Sequence, residues 1–374
     1  VQVYRPTWAE IDLANIAHNV TEFRRHIPQG TRLMAVVKAD AYGHGSVEVA
    51  RAALAAGADW LAVALVEEGI ILRQAGLAAP ILILGYTPPE AMAAIFQYRL
   101  TPGIIDENTL HLVEDEARRQ RRKIGVHVKI DTGMGRLGPR DPGGKALVQR
   151  VLTSSHLDME GIYTHFASAD EEDKSFTLLQ LDKFKSIVET IKREKPQIIA
   201  HCANSAAAIE LPQAYLDMVR IGISLYGLYP SPEVTHQVQL KPVMAFHTRV
   251  ASVKEVPAGT TISYGRTFTT SRPSRIAILP VGYADGYIRL LSGKGHVLIQ
   301  GQRVPLLGRI CMDYCMADIT NLPGVNTGEP VVLYGRQGDE EISVDEVAEL
   351  VGTINYEVTC AVSARVPRIY KYRT

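Results

Sequence analysis

Between residues 33 and 224 the chain repeats one pattern eight times: a short apolar run, then a polar turn or an amphipathic stretch. The runs occupy 33–37, 60–65, 81–84, 101–105, 125–130, 161–165, 197–200 and 218–224, and helical periodicity is clearest at 46–56, 108–121 and 176–193. Continuously apolar strands separated by helices are buried on both faces, which is the condition of a parallel sheet clothed in helices. Eight such units in this length match a (β/α)8 barrel. The alternative, an open doubly wound sheet, usually has fewer strands and a G-x-G-x-x-G turn after the first; no such turn follows residue 37.

Near residue 240 the rhythm changes. A long strand is expected over 242–256, followed by strands at 275–279, 296–299, 303–306 and 330–334, with one helix near 343–351. Close-set strands without intervening helices indicate a separate β-rich domain. The expected organisation is therefore α/β, a TIM barrel over 1–240 followed by a mostly β domain over 241–374. The first few residues are open to packing with the second domain.

Composition narrows the partners. Forty basic residues balance forty acidic ones, so no bulk field draws the chain to nucleic acid or an anionic membrane. No apolar run is long enough to span a bilayer, and the opening stretch lacks a signal-peptide profile. Cys202, Cys311, Cys315 and Cys360 form no CxxC pair, which fits free thiols in a reducing cytoplasm. The Cys311-x3-Cys315 spacing has no second ligand pair, so no metal is expected.

A barrel of this kind places its chemistry at the C-terminal ends of its strands. Lys38 closes the first strand, Arg136 lies in the turn after the fifth, and His165 ends the sixth. Asn204 and Ser205 follow the seventh, Arg220 lies within the eighth, and Gly222 and Ile223 come just after it. Singly, each has an ordinary structural explanation: a solvated loop lysine, a satisfied core histidine, a geometric glycine, an arginine paired with Asp217. Their common rim is what points to a site. The ends of strands 7 and 8 are the usual phosphate cradle of such barrels. A lysine amine in a dry, cationic pocket becomes a nucleophile able to form a Schiff base. Pyridoxal 5′-phosphate uses both features, a lysine imine and a phosphate anchor. A phosphosugar aldolase is the competing reading on these grounds.

The segments VVKADAYGHG, KIDTGMGRLG, YTHFASAD, CANSAAAI, MVRIGISLYG, ISYGRTF, PVGYADGY and GRICMDYCMADIT occur in order along the chain. Together they resemble the bacterial alanine racemases, pyridoxal-phosphate enzymes of fold type III. The resemblance implies that Lys38 carries the cofactor and is one catalytic base, and that Tyr264 is the other. Removing the Cα proton from one face and returning it to the other requires two such groups on opposite sides. A free phenol titrates near ~10, so cationic surroundings are needed to make it a base, with His165 and Arg220 as candidates. Taken alone, Tyr264 would be read as an aromatic packed within the β domain.

The resemblance further places Arg220 at the cofactor's pyridine nitrogen, where an arginine cannot surrender its proton. Tyr42, Ser205, Gly222, Ile223 and Tyr356 resemble phosphate anchors, and Asn204 and His165 other cofactor contacts. Arg136 is expected at the cofactor's phenolic oxygen and the substrate carboxylate, and the Met312 N–H at that carboxylate as well. Lys129 matches a lysine often carbamylated in the family. A negative group there would relieve repulsion with Arg136, whereas an outward-pointing lysine would need no modification. Asp170, Tyr283, Arg289, Arg309 and Ile354 match positions lining the entrance. The implied protein is a cytoplasmic homodimer with shared sites, interconverting L- and D-alanine for peptidoglycan precursors. Serine racemisation, decarboxylation by a related barrel enzyme, and a non-catalytic barrel carrying the same cofactor are the alternatives. Arg220 and Tyr264 speak against the decarboxylase, and the β domain against the carrier.

Overall fold

A computed structural model describes residues 4–372 and divides the chain into two compact units. One comprises Ala14–Ala41 and Ser46–Lys241; the other gathers the stretch through Leu13, Tyr42–Gly45 and the chain from Pro242 onward. The first strand, β1 (Thr7–Asp12), belongs to the second unit.

The larger unit is built on eight parallel strands: β2 (Arg32–Val36), β3 (Trp60–Val63), β4 (Ile81–Ile83), β5 (Thr101–Ile104), β6 (Ile124–Lys129), β7 (Leu157–Tyr163), β8 (Ile199–His201) and β9 (Met218–Ile221). Their order in the sheet is β8-β7-β6-β5-β4-β3-β2-β9, so the last strand lies beside the first. The seam between β8 and β9 is bridged by Asp217 N–H donating to Ala200 O (3.1 Å) and Arg220 N–H to Ala203 O (3.0 Å). The result is a nearly closed barrel. Most of the strands are short and largely apolar because both faces are covered.

The helices form where the sequence gives a buried stripe at helical spacing. In Glu107–Gln120 the stripe is Leu110, Val113 and Ala117. Its start is fixed by Asp106, whose carboxylate accepts the Thr109 N–H at 2.7 Å, and its end by Arg121 in a left-handed conformation. β7 begins four residues earlier than the apolar run suggested. Leu157 and Met159 point inward while Asp158 is exposed, so its first half alternates.

In the other unit β10 (Met244–Arg249) and β11 (Ser252–Val256) replace the single strand expected over 242–256. At Val250–Ala251 the chain changes partners: Val250 N–H donates to Glu329 O and Ala251 N–H to Ile278 O. The remaining strands are β12 (Thr261–Ile262), β13 (Phe268–Thr269), β14 (Ser274–Leu279), β15 (His296–Ile299), β16 (Gln302–Pro305), β17 (Cys315–Asp318), β18 (Pro330–Gln337), β19 (Glu340–Ile342) and β20 (Arg368–Lys371). One sheet runs β16-β15-β18-β10-β1-β20 with β19 on β18, a second runs β11-β14-β17, and β12 pairs with β13. β1 is antiparallel to β10 and parallel to β20. The expected helix spans Val344–Val351, capped by Ser343. A second helix, Asn355–Cys360, was not anticipated.

One local feature departs from anything the sequence suggested. Immediately after Lys38, the four residues Ala39, Asp40, Ala41 and Tyr42 all have φ between 50° and 54°, a left-handed turn without a single glycine. Such a conformation costs L-residues roughly 1–2 kcal/mol each. Three contacts hold it within the barrel unit: Ala41 N–H to Val37 O, Ala39 N–H to Glu68 Oε1, and Ser46 N–H to Asp40 Oδ1. Ala39 is solvent-exposed. Replacing it by glycine removes the Cβ penalty and adds glycine's smaller entropic cost. Ala39→Gly should therefore raise unfolding stability by about 0.5–1 kcal/mol in denaturant titration.

Candidate active site

The rim residues fall as the barrel requires. Lys38 lies two residues beyond β2, His165 two beyond β7, Asn204 and Ser205 just beyond β8, and Gly222 and Ile223 directly after β9. Arg136 sits in the glycine-rich turn after β6, a turn organised by Asp131. That carboxylate accepts the N–H groups of Gly133 and Gly135 and pairs with Arg140. The opposite mouth holds a cavity of about 640 Å³ touched by Arg32, Trp60, Arg99 and Glu160, and no candidate residue lies there.

Arg220 is the centre of this arrangement. It is buried, and its guanidinium meets only neutral acceptors. One terminal nitrogen donates to His201 Nδ1 (3.0 Å). The other donates to Thr164 O (2.9 Å), Cys202 O (3.1 Å) and His165 Nδ1 (3.2 Å). The pairing with Asp217 does not occur: that carboxylate binds Lys192 and the Ala200 N–H. Burial pulls the Arg220 pKa down to about 10, which leaves it cationic at neutral pH. Its Nε–H donates to nothing among the described residues.

The field of Arg220 governs its neighbours. His165 is held well below the usual imidazole value, first by burial and then by Arg220, Lys129, Arg136 and Lys38. It is therefore neutral, and since Arg220 can only donate, Nδ1 accepts and the proton sits on Nε2. His165 thus offers a neutral N–H rather than the positive charge expected of it. Lys129 is only 6% exposed and points into the barrel, its Nζ 4.7 Å from the Tyr163 ring centre. Burial, Arg220 and Arg136 push its pKa well down, and no ion pair within 4 Å reaches it among the described residues.

A phosphate-sized anion finds donors beyond β8 and β9. Ser205 Oγ accepts the Gly222 N–H (2.9 Å) and, more distantly, the Ser224 N–H (3.4 Å), so its own proton is free to donate. The Gly222 N–H is thus already engaged. Ile223 opens a short helical turn, where an N–H has no intrahelical acceptor. Asn204 caps the helix Ser205–Glu210 by accepting the Ala207 N–H.

In the β unit, Tyr42 and Tyr356 stand with ring centres 6.1 Å apart. Burial, with Cys360 nearby, raises the Tyr42 pKa, so its hydroxyl stays a donor. A second group gathers around the turn at Cys311. Ser263 Oγ donates to Arg309 O (2.6 Å), tying the Tyr264 turn to it. Tyr283 N–H and Ala284 N–H donate to Cys311 O and Met312 O, both at 3.1 Å. A Cβ on Gly282 would lie 2.3 Å from Cys311 O, so only glycine admits this approach. Asp285, fully buried, anchors the same turn through Arg5 and the Gly282 N–H. Tyr264 is 70% exposed, against the expectation of a packed strand aromatic. Met312, Tyr283 and Ile354 are exposed as well, as is Arg289, whereas Arg309 is half-buried. Asp170, in the barrel unit, accepts the Ser231 hydroxyl at its backbone carbonyl.

Three polar residues went unread in the sequence: His127, His201 and Thr164. All are buried inside the barrel. The alternation in Val126-His127-Val128-Lys129, apolar outward and polar inward, is the signal that could have found the first.

A lysine just beyond β2, a carboxylate-free buried arginine and a group of donors beyond β8 and β9 are the features that a Schiff-base enzyme for a phosphorylated ring cofactor would need. Family models agree in detail: the alanine racemase N-terminal domain matches residues 11–230 and the C-terminal domain 243–370. The alanine racemase of Halothermothrix orenii is 47% identical over 99% of this chain and 98% of its own. Among solved structures, the alanine racemase of Bacillus anthracis with bound L-Ala-P is 40% identical, with a TM-score of 0.93 over 100% of this chain and 96% of that one. The alanine racemase of Bartonella henselae, with covalently bound pyridoxal phosphate, is 30% identical with a TM-score of 0.88, covering 98% of this chain and 100% of that one. The chain belongs to the alanine racemase family, whose members are pyridoxal-phosphate-dependent isomerases.

Three histidines, His127 and His201 fully buried and His165 partly so, make stability pH-dependent. His127 is pulled to about 3 and His165 and His201 well below the usual value, in each case first by burial. All three rings are neutral in the folded and unfolded states above their ordinary value of about 6.5, so their contribution is greatest there. As pH falls below it the unfolded rings take protons that the folded ones refuse. Unfolding free energy should therefore fall between pH 6.5 and 5 by up to about 1.4 kcal/mol per pH unit per ring. His127→Asn should flatten that slope by one ring's share in pH-resolved denaturant titrations.

Proposed function

We propose that this chain racemises alanine by a two-base route in which Lys38 and Tyr264 exchange protons with opposite faces of the substrate Cα. The observation that carries the reading is Arg220, a buried cation with neutral partners and an uncommitted N–H. This suits a ring nitrogen that accepts a hydrogen bond and is never given a proton. The donors of the barrel unit fit pyridoxal 5′-phosphate: Ser205 and Ile223 for the phosphate, with Gly222 and Asn204 shaping that corner, Arg220 for the ring nitrogen, and Lys38 for the covalent link. Tyr42 and Tyr356 of the β unit are assigned to the phosphate from the family resemblance. When bound, that cofactor supplies an electron sink that acidifies Cα.

The chain's own groups do the rest. Lys38 Nζ holds or takes the Cα proton on one face, and Tyr264 Oη on the other. The neutral His165 Nε2–H is a donor suited to a phenolate oxygen, and Arg220 behind it supplies the positive field. Arg136 and the Met312 N–H are assigned to the substrate carboxylate. Asp170, Tyr283, Arg289, Arg309 and Ile354 are assigned to the entrance, where a tight aromatic opening penalises larger side chains.

Tyr264 and Met312 are assigned to the site of a second subunit in a homodimer. The support is their exposure, alongside Tyr283, Tyr314 and Ile354, large apolar groups that a second copy would cover. A cytoplasmic enzyme supplying D-alanine to peptidoglycan precursors fits this activity.

In deuterated water, L-alanine should yield D-alanine carrying deuterium at Cα. Lys38→Ala should abolish covalent attachment of the cofactor. Tyr264→Phe should keep the cofactor's absorption and lose roughly 10²–10⁴-fold in racemisation. Co-expressing the two variants should give heterodimers with one intact site each, restoring about a quarter of wild-type activity if subunits assort at random. Normal turnover by Tyr264→Phe would refute the tyrosine's role, and no recovery on co-expression would refute the shared site.

Lys129 is assigned as a carbamate. A buried, neutral amine beside two arginines is nucleophilic toward carbon dioxide, and the resulting negative charge would satisfy both cations. Protein equilibrated with 13C-bicarbonate should show a carbamate carbonyl resonance that Lys129→Ala lacks. An identical spectrum in both would dismiss the modification.

A further inference from the structure

The far side of Arg220 leads deeper into the barrel. His201 Nδ1 lies 3.0 Å from one guanidinium nitrogen, and its Nε2 lies 2.8 Å from His127 Nδ1. Both rings are fully buried. Guanidinium only donates, so His201 Nδ1 must be bare. A neutral ring bare at Nδ1 carries its proton on Nε2, and that N–H can only donate to His127. His127 Nδ1 is then bare too, and its own proton is forced to Nε2. Every other assignment of protons to neutral rings sets two donors against each other at the 3.0 Å contact with Arg220, or two donors or two lone pairs against each other at the 2.8 Å contact between the rings.

The cost of this order is visible at its end. His127 Nε2 has no hydrogen-bond partner among the described residues, and the ring of Trp60 stands 5.1 Å away, centre to centre. An unmatched buried donor destabilises a fold. Space for the ring is made by Gly161, where a Cβ would lie 2.4 Å from it. On the same strand, β7, Tyr163 pairs with His201 of the adjacent β8 and stacks on its ring at 5.1 Å, fixing the plane through which the bonds run.

We propose that His127 is a positioning residue for racemisation: as the acceptor of the His201 Nε2–H, it fixes the tautomer that lets His201 accept from Arg220. Remove that acceptor, and the His201 Nε2–H is left buried without a partner, a cost the ring relieves by moving its proton to Nδ1, where it opposes a guanidinium N–H and displaces Arg220. The kinetic part rests on the racemase reading above; the order of tautomers does not.

The test uses full-length protein labelled with 15N-histidine, read by NMR with and without pyridoxal phosphate, and the kinetics of two variants. Wild-type His201 and His127 should both carry their proton on Nε2. His127→Leu should shift the His201 ring nitrogens toward the Nδ1–H form and lower kcat about tenfold with little change in KM, the scale typical of losing an outer-shell partner. His127→Asn, whose Oδ1 supplies an acceptor near the lost Nδ1, should restore both. A wild-type His201 protonated on Nδ1 would overturn the proposal even if His127→Leu failed to fold. So would a folded His127→Leu with unchanged His201 nitrogens or unchanged kcat. Loss of racemase activity in the wild type would instead count against the function, leaving the tautomer result standing.

Discussion

A guanidinium buried without a carboxylate is the constraint around which the barrel's interior is arranged. Arg220 donates to two backbone carbonyls and two imidazoles, none of which can neutralise it. A carboxylate would have been the cheaper partner for a buried cation, since charge pairing offsets desolvation. With neutral acceptors the positive charge persists, and it adds to burial in setting the state of the basic groups nearby. His165 and His201 are kept uncharged and Lys129 is pushed toward its neutral amine. The orientation of hydrogen bonds along these groups follows from one fact of valence, that arginine never accepts.

The β unit uses a different device. Its candidate groups lie on turns rather than strands, and the turns are braced against each other. Gly282 lets the backbone at Cys311 and Met312 approach within bonding range, while Asp285 ties the same corner to Arg5. Tyr283 and Met312 therefore share one rigid support. Two main-chain hydrogen bonds join the turns that carry them.

Much of this was legible because burial on both faces writes itself as continuous apolar runs. The barrel strands and the rim positions of Lys38, His165, Ser205 and Arg220 followed from those runs alone. What was not legible depends on geometry that residue type does not encode. Ala39, Asp40, Ala41 and Tyr42 have ordinary side chains, so nothing announces a left-handed turn held by Glu68 and Ser46. The stretch 242–256 alternates without a break in composition, yet the chain leaves one sheet for another at Val250. Asn355–Cys360 is too short to show a helical period. The resemblance to known racemases supplied roles for Tyr264 and Met312 that exposed turn residues could never have declared for themselves.

β1 lies between β10 and β20, hydrogen-bonded to strands more than 230 and more than 350 residues further along. During synthesis β1 must therefore wait for both partners while strands β2–β9 are made. Its partners β10 and β20 both follow the barrel strands in the chain, so this part of the sheet is completed only when β20 pairs alongside β1. β1 therefore finds its place late, and a chain halted before residue 368 would leave one of its edges open.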